Sequence, residues 1–239
     1  MNTEKKSLIV IPARYGSTRF PGKPLAMIQG MSMVQRVYHQ CILSQAHAVL
    51  VATDDERIFD HVSSFGGQVI MTSSAHSSGT DRCAEAARNC DIEFDFVVNV
   101  QGDEPFIDPV QINQVIDVLL SKNASIATLA VPIHSQDELH DANRVKVVMS
   151  SDLRCLYFSR SAIPHDRDKA GVHAYRHLGI YGFRREVLQE ITRLEPSSLE
   201  KAEALEQLRW LENGYEIYAG ITDNAALSVD VPEDINRLP

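Results

Sequence analysis

The sequence predicts an α/β fold with a mostly parallel central sheet, extended after Ser125 by an antiparallel, strand-rich region. Two features of the pattern carry this. Apolar, β-branched runs alternate with helix-like segments through the first half of the chain, which implies βαβ units. Consecutive strand-like runs with little helix between them then follow. The 239 residues, 44% hydrophobic and 23% charged, suffice for one sizeable core, so a single domain over 1–239 is expected.

The elements read in order. Residues 7–11 form a first buried strand, and 48–53, AVLVAT, a second. A helix is expected over 54–65, ended by Gly66-Gly67, with a third strand at 68–72. Residues 81–90 carry Ala84, Ala87 and Arg88 at helical spacing, and 94–100, FDFVVNV, make a strong buried strand. A helix over 109–120 has Pro in its first turn and Ile112, Val115, Ile116 and Leu119 on one face. SIATLAVPI, VKVVMS, LRCLYFS and HLGIYGF are the later strands, placed to cover part of a site or to form an oligomer contact. One long helix over 199–213, with Leu205, Leu208 and Leu211 on its apolar face, is stopped by Gly214.

Composition excludes several classes. A net charge of -9 and a pI near 5.4 argue against general nucleic-acid binding. No apolar run approaches membrane-spanning length, and the stretch after the N-terminal lysines is too short for a signal core, so a cytoplasmic protein is expected. Cys41, Cys83, Cys90 and Cys155 include no C-x-x-C pair and are expected as free thiols. The nine histidines have no zinc-ligand spacing.

The most informative segment is IPARYGSTRFPGKPL, 11–25. It leaves the first strand through a loop holding Arg14, Gly16, Arg19, Gly22 and Lys23. Glycines let a backbone approach a ligand, and three cations supply charge for phosphate oxygens. It is not a Walker A loop, because five residues separate Gly16 from Gly22 and Pro24 replaces the metal-binding hydroxyl. The dinucleotide fingerprint is also absent. The alternative is a solvated loop with scattered charge.

Ligands of parallel sheets sit beyond the carboxyl ends of the strands. There NVQGDEP places Asp103 after a turn at Gly102, where a carboxylate can hold Mg²⁺ or simply form the turn. SVDVPEDI places Asp230 before a Pro-initiated helix, as a second ligand or as an N-cap. Together with the cationic loop, the pair favours a metal. SSAHSSGTDR can offer hydroxyls and main-chain groups to a nucleobase, or be an ordinary capped loop. His177 and Tyr181 share one side of a strand, and His177 alone reads as structural.

These motifs occur together, in order, in one family. The chain resembles the 3-deoxy-manno-octulosonate cytidylyltransferases, or CMP-Kdo synthetases, over nearly its full length. The resemblance is carried by IPARYGSTRFPGKPL, VATDDERI, SSGTDR, NVQGDEP, YFSRSAIP, RHLGIYGF, LEQLRWLENG and VDVPED. It implies a Rossmann-like nucleotidyltransferase three-layer fold and transfer of the cytidylyl group of CTP to Kdo, for lipopolysaccharide assembly. It also implies Mg²⁺ dependence and a homodimer, with a dimerisation and substrate region at about 125–183. By motif, Arg14 and Lys23 match triphosphate-contacting residues, with Arg19 in the same loop. Ser78, Gly79 and Arg82 fall where the family recognises CTP, and Asp103 and Asp230 match its metal-binding aspartates. Gln101, Arg160, His177, Tyr181, Glu206 and Gln207 match positions around the sugar acid. Arg14, Lys23, Asp103 and Asp230 would carry catalysis, with direct attack of the sugar's anomeric hydroxyl on the α-phosphorus and no covalent nucleophile.

One departure is local. A Gly-Val-Asp-Thr-Pro-Glu-Asp run is expected, and this chain has Ser228 and Val231 around Val229-Asp230. The rival readings are a cytidylyltransferase for another acidic sugar, such as an 8-amino Kdo analogue or sialic acid, and a catalytically silent nucleotide-binding regulator. Retention of Lys23, Asp103 and Asp230 argues against the second.

Overall fold

The computed structural model describes residues 5–16, 20–168, 170–223, 229 and 231–237. The chain divides into two compact units, one of Met1–Asn113 with Ala226–Pro239 and one of Gln114–Ala225.

The first unit is built on four parallel strands in the order β6-β1-β4-β5. These are β1 (Ser7–Ala13), β4 (Ala48–Thr53), β5 (Val69–Met71) and β6 (Phe96–Asn99). Leu8, Ile9, Val10 and Ile11 are all 0% exposed, the continuous burial of a strand covered on both faces. Pro12 fits inside β1 because the ladder to β6 ends at the Val10–Asn99 pair, so its missing N–H breaks no bond there. The helices are α1 (Met33–Ile42), α2 (Glu56–Ser64) and α3 (Gly79–Asn89). Asp55 caps α2 by accepting from Arg57 N, and Ser78 and Asp81 form a reciprocal capping box on α3.

Residues 26–47 hold elements not anticipated from the sequence. A tight hairpin, β2 (Met27–Ile28) and β3 (Met31–Ser32), turns through Gln29 and Gly30, both at positive φ. Ser32 then caps α1, whose buried face is Met33, Val34, Val37, Tyr38 and Cys41. The boundary between the units falls within α4 (Pro109–Ser121), where Ile112, Val115, Ile116 and Leu119 are buried as expected. A short 3-10 helix, Pro232–Arg237, follows the segment around Asp230.

The second unit holds β7 (Ile126–Pro132), α5 (Gln136–His140), β8 (Lys146–Met149), β9 (Cys155–Ser159), β10 (Tyr175–Arg184), α6 (Arg185–Ile191), α7 (Ser198–Glu203), α8 (Gln207–Glu212) and β11 (Ile217–Ile221). As expected, β7, β10, β8 and β9 pair antiparallel in that order; β11, not anticipated, adds to β7 in parallel. The β10–β7 register shifts between Leu178 and Tyr181. Three steps along β10 face one along β7, so two extra residues are inserted and the alternation of faces survives. The Thr128 hydroxyl lies 3.2 Å from Leu178 O and 2.7 Å from Ile180 O, serving carbonyls at the irregularity.

The long helix expected over 199–213 is two short helices. α7 ends at Ala204, which adopts a left-handed backbone with φ 51, and α8 restarts at Gln207. That conformation costs a non-glycine residue roughly 1–2 kcal/mol. Arg160 offsets it, donating from Nε to Glu203 O at 2.8 Å and from Nη2 to Ala204 O at 3.3 Å. Leu205 and Leu208 are buried as expected, and Trp210, 1% exposed, takes the core position expected of Leu211.

Candidate active site

The carboxyl ends of β1 and β6 in the first unit open onto a cleft of about 210 Å³. Arg14, Lys23, Ser78, Gly79, Arg82, Gln101 and Asp103 line it, so seven of the residues singled out from sequence meet at one place. Two glycines are demanded by close approach. A Cβ on Gly102 would lie 2.8 Å from the Pro12 carbonyl oxygen, so only glycine lets the turn before Asp103 pass β1. Gly22 sits at φ +71 with its Cα face 3.1 Å from the Tyr15 ring, measured from the position a Cβ would take. Its N–H donates to Tyr15 O at 2.9 Å and closes the cationic loop at its base. The Arg57 guanidinium lies over the Tyr15 ring, 3.3 Å from its centroid.

Lys23 and Asp103 form the polar centre. Lys23 Nζ donates to Asp103 Oδ2 at 2.7 Å and to Val229 O at 2.6 Å. Val229 N in turn donates to Asp103 O at 2.9 Å. Val229 also packs with Ile28 and Met33 in a buried cluster joined by Phe20, Phe106 and Ile235. Phe20 and Phe106 lie close in sequence to Lys23 and Asp103, so one apolar cluster fastens the segments that carry these two residues and Val229. Asp230 and Arg19 themselves lie outside the described residues. Glu104, beside Asp103, was not singled out from sequence; burial first, and the Asp103 charge second, push its carboxyl up to about 7.

The α3 terminus borders the cleft. Ser78 is its N-cap and Gly79 its first residue, packed 3.3 Å from Pro12 at the position of a Cβ. Arg82 has a structural task in the same place. Only 3% exposed, it donates to Thr72 Oγ1 at 2.6 Å and pairs with Asp54 Oδ2 at 2.8 Å. His76, another cleft residue that sequence reasoning passed over, is hydrogen-bonded to Glu85, which also accepts from Ser73 N at 2.9 Å.

Of the residues matched to a sugar acid, Gln101 belongs to the first unit and the other five to the second. His177 and Tyr181 share a ring cluster with Phe158, Phe183 and Trp210, at centroid separations of 5.0–5.9 Å. His177 keeps some accessible surface; its ring packs against Phe158 and Tyr181, and burial lowers its pKa to about 3. Its Nε2 lies 2.9 Å from Thr128 Oγ1. Because that hydroxyl donates to a β10 carbonyl, Nε2 carries the imidazole proton and Nδ1 is left as an acceptor. The Tyr181 hydroxyl is buried with no hydrogen-bond partner among the described residues, and burial raises its pKa well above the ordinary range. Gln207, 5% exposed, is buried at the start of α8, not placed on an outer face. Arg160 does not present an open two-donor fork: Nε, Nη1 and Nη2 donate to the carbonyls of Glu203, Ala142 and Ala204. Three of its five N–H donors are thereby engaged.

A sequence model of the cytidylyltransferases matches residues 8–217. The chain belongs to the cytidylyltransferase family. A 3-deoxy-manno-octulosonate cytidylyltransferase from Bacteroides thetaiotaomicron is 52% identical over 243 residues, covering 97% of this chain and 96% of the relative. One from Parabacteroides distasonis is 49% identical over 242 residues, with the same coverages. Among solved structures, a CMP:2-keto-3-deoxy-manno-octonic acid synthetase complexed with CTP superposes with a TM-score of 0.93 at 40% identity, covering 98% of this chain and 96% of that one. A cytidylyltransferase from Leptospira borgpetersenii, 18% identical with a TM-score of 0.61, shares the fold. The fold is the Rossmann-like nucleotidyltransferase fold expected from sequence.

Proposed function

We propose that this chain transfers the cytidylyl group of CTP to 3-deoxy-D-manno-octulosonate, releasing pyrophosphate and giving CMP-Kdo for lipopolysaccharide assembly. The observation that carries the reading is near-full-length identity with enzymes of that name, in a chain whose cleft gathers Arg14, Lys23 and Asp103. Arg14 and Lys23 hold the triphosphate, and the α3 terminus with Ser78 and Gly79 supports the nucleotide by main-chain N–H groups. Arg19 joins them from the same loop. Arg82 acts by fixing the loop beneath the nucleotide.

The donor set suits Mg²⁺. Hard oxygens, the Asp103 carboxylate and the Val229 carbonyl, stand together, and a cation, the Lys23 ammonium, already rests on them. Mg²⁺ held by so few protein oxygens is completed by water and substrate phosphates. Asp103 and Asp230 would hold it, and when bound it would neutralise charge on the phosphoryl oxygens. The anomeric hydroxyl attacks the α-phosphorus in line with the departing pyrophosphate. The chain's own part is to align the reactants and to stabilise developing negative charge with Arg14 and Lys23.

Within the second unit, His177, Tyr181, Glu206 and Gln207 receive the sugar acid, with the remaining donors of Arg160 at its carboxylate. The unpartnered Tyr181 hydroxyl supports this, because an enclosed hydroxyl gains a hydrogen bond when a polyhydroxylated substrate arrives. We further infer a cytoplasmic homodimer that works as one nucleotidyltransferase domain. Among the described residues no helix is long and apolar enough to cross a membrane. Leu156 and Val172, 52% and 56% exposed, are apolar surface in the strand-rich region suited to a two-fold contact. Sedimentation equilibrium tests the dimer, and a monomer with full activity would remove it. Pyrophosphate release measured with CTP, Mg²⁺ and a panel of acidic sugars tests the reaction. Turnover greatest with Kdo supports the proposal, and turnover greatest with an 8-amino analogue or sialic acid replaces it.

A further inference from the structure

We propose that Glu203 is a positioning residue for the sugar-acid half-site: with Arg160 and Lys146 it holds open the helix break at Ala204 from which Glu206 and Gln207 are presented. This rests on the reading that Glu206 and Gln207 meet the sugar acid. All the residues of the clasp belong to the second unit.

The clasp joins the main chain of each residue to the side chain of the other. The main-chain N of Arg160 donates to Glu203 Oε2 at 2.9 Å, and its side-chain Nε donates to Glu203 O at 2.8 Å. The other carboxylate oxygen of Glu203 accepts from Ser159 Oγ at 2.7 Å. Burial would raise the Glu203 pKa, but these bonds more than offset it and the group stays ionised. Beneath lies Lys146, 0% exposed, whose Nζ donates to Asp141 O at 2.9 Å and to Arg160 O at 2.6 Å. Arg160 Nη1 donates to Ala142 O at 3.1 Å. The ends of α5, β9 and α7 are thus tied through two cations and one carboxylate.

The clasp acts on the backbone. In one continuous helix the carbonyls of Glu203 and Ala204 would accept from N–H groups four residues on. Here they accept from Arg160, which stabilises the interruption and lets Ala204 turn left-handed. The chain then restarts with Leu205 and Leu208 in the core and Gln207 buried. Unbroken helix would rotate Glu206 and Gln207 away from these positions. A long amphipathic helix is what the sequence pattern favours, so the break needs a device to hold it, and Glu203 with Arg160 is that device.

The test is steady-state kinetics on the full chain with CTP, Mg²⁺ and Kdo, varying each substrate separately. CMP-Kdo formation by the unaltered chain is measured first, and its absence refutes the functional reading independently of this inference. Given an active enzyme, Glu203→Gln should raise KM for Kdo about tenfold, the scale of one charge-assisted hydrogen bond, with KM for CTP within about twofold. Adding Ala204→Gly should recover most of that loss, because glycine adopts the left-handed backbone without strain and Ala204 is exposed. Ala204→Val in the unaltered background should reproduce the Kdo defect, since a β-branched residue resists positive φ, and it decides the matter if Glu203→Gln is insoluble. An unchanged KM for Kdo in Glu203→Gln or Ala204→Val, an equal rise in both KM values, or no recovery with Ala204→Gly would overturn the proposal.

Discussion

In the first unit Arg14, Lys23 and Asp103 stand around an open cleft at the carboxyl edge of parallel strands. In the second unit Tyr181 and Gln207 are buried, His177 packs against Phe158 and Tyr181, and three donors of Arg160 are taken by main-chain carbonyls. The first arrangement is an open cleft lined by charge, held by backbone turns that only glycine permits. The second is a packed core with a few polar atoms left for use, notably Tyr181 Oη and His177 Nδ1. Substitutions in the first should therefore change chemistry with little change in stability, and substitutions in the second should change both.

The largest effect is expected at Asp103. Asp103→Asn keeps the shape of the turn and removes the charge that Lys23 now neutralises. Turnover should fall by about three orders of magnitude, the scale of losing a charge-stabilising group, with circular dichroism unchanged. Binding of Mn²⁺ followed by electron paramagnetic resonance should weaken in parallel. Near-normal turnover at ordinary Mg²⁺ would break the contrast at its strongest point.

Arg14→Ala and Lys23→Met come next. Each should lower kcat/KM for CTP by roughly 10–100-fold through loss of a cation at the triphosphate. Arg14 is exposed and should leave the melting temperature alone. Lys23 is expected to cost some stability, because its removal leaves Asp103 Oδ2 and Val229 O without their common donor. Calorimetry with CTP showing unaltered binding in both variants would refute the cleft as a triphosphate site.

The contrast also explains what could be read from the sequence. The first unit was legible because its site is local: strand, Gly-rich loop and terminal carboxylate are contiguous words such as NVQGDEP. Its Lys23–Asp103–Val229 contacts were not legible, since they join residues 80 and 206 positions apart. In the second unit the antiparallel strands were legible from their apolar runs, but β11 was not assigned. The single helix over 199–213 was a sound reading of periodicity, overturned by a distant arginine that supplies donors to the carbonyls at the break. His177 and Tyr181 were expected on one side of a strand and are neighbours, at 5.2 Å between centroids, although the register shift between them was invisible.

Arg82 is the first unit's exception, a cleft residue bound up with packing, and it offers a sharper test. Asp54→Ala removes the carboxylate that pairs with this nearly buried guanidinium. Breaking one side of such a pair should cost about 2–3 kcal/mol in urea unfolding, somewhat reduced by the partial exposure of Asp54. KM for CTP should rise only modestly, since Arg14 and Lys23 remain. A change in KM without any change in stability would place Arg82 with the ligand-facing residues and not with the supporting ones.

The smallest effect belongs to the second unit and concerns pH. Burial holds the His177 imidazole near a pKa of about 3 against an ordinary 6.5. Between these values the unfolded chain binds a proton at this residue and the folded chain does not, so stability falls as pH falls through that window and is constant above it. The slope from one such group is at most about 1.4 kcal/mol per pH unit. His177→Gln keeps a donor for Thr128 and cannot titrate, so the variant loses this share of the acid sensitivity. Urea unfolding of both proteins at several pH values below and above 6.5 should show the stability difference shrinking on acidification and level at neutral pH. Parallel curves throughout would mean that the ring is solvated in solution, and the second unit would then resemble the first, with an open polar site in place of an enclosed one.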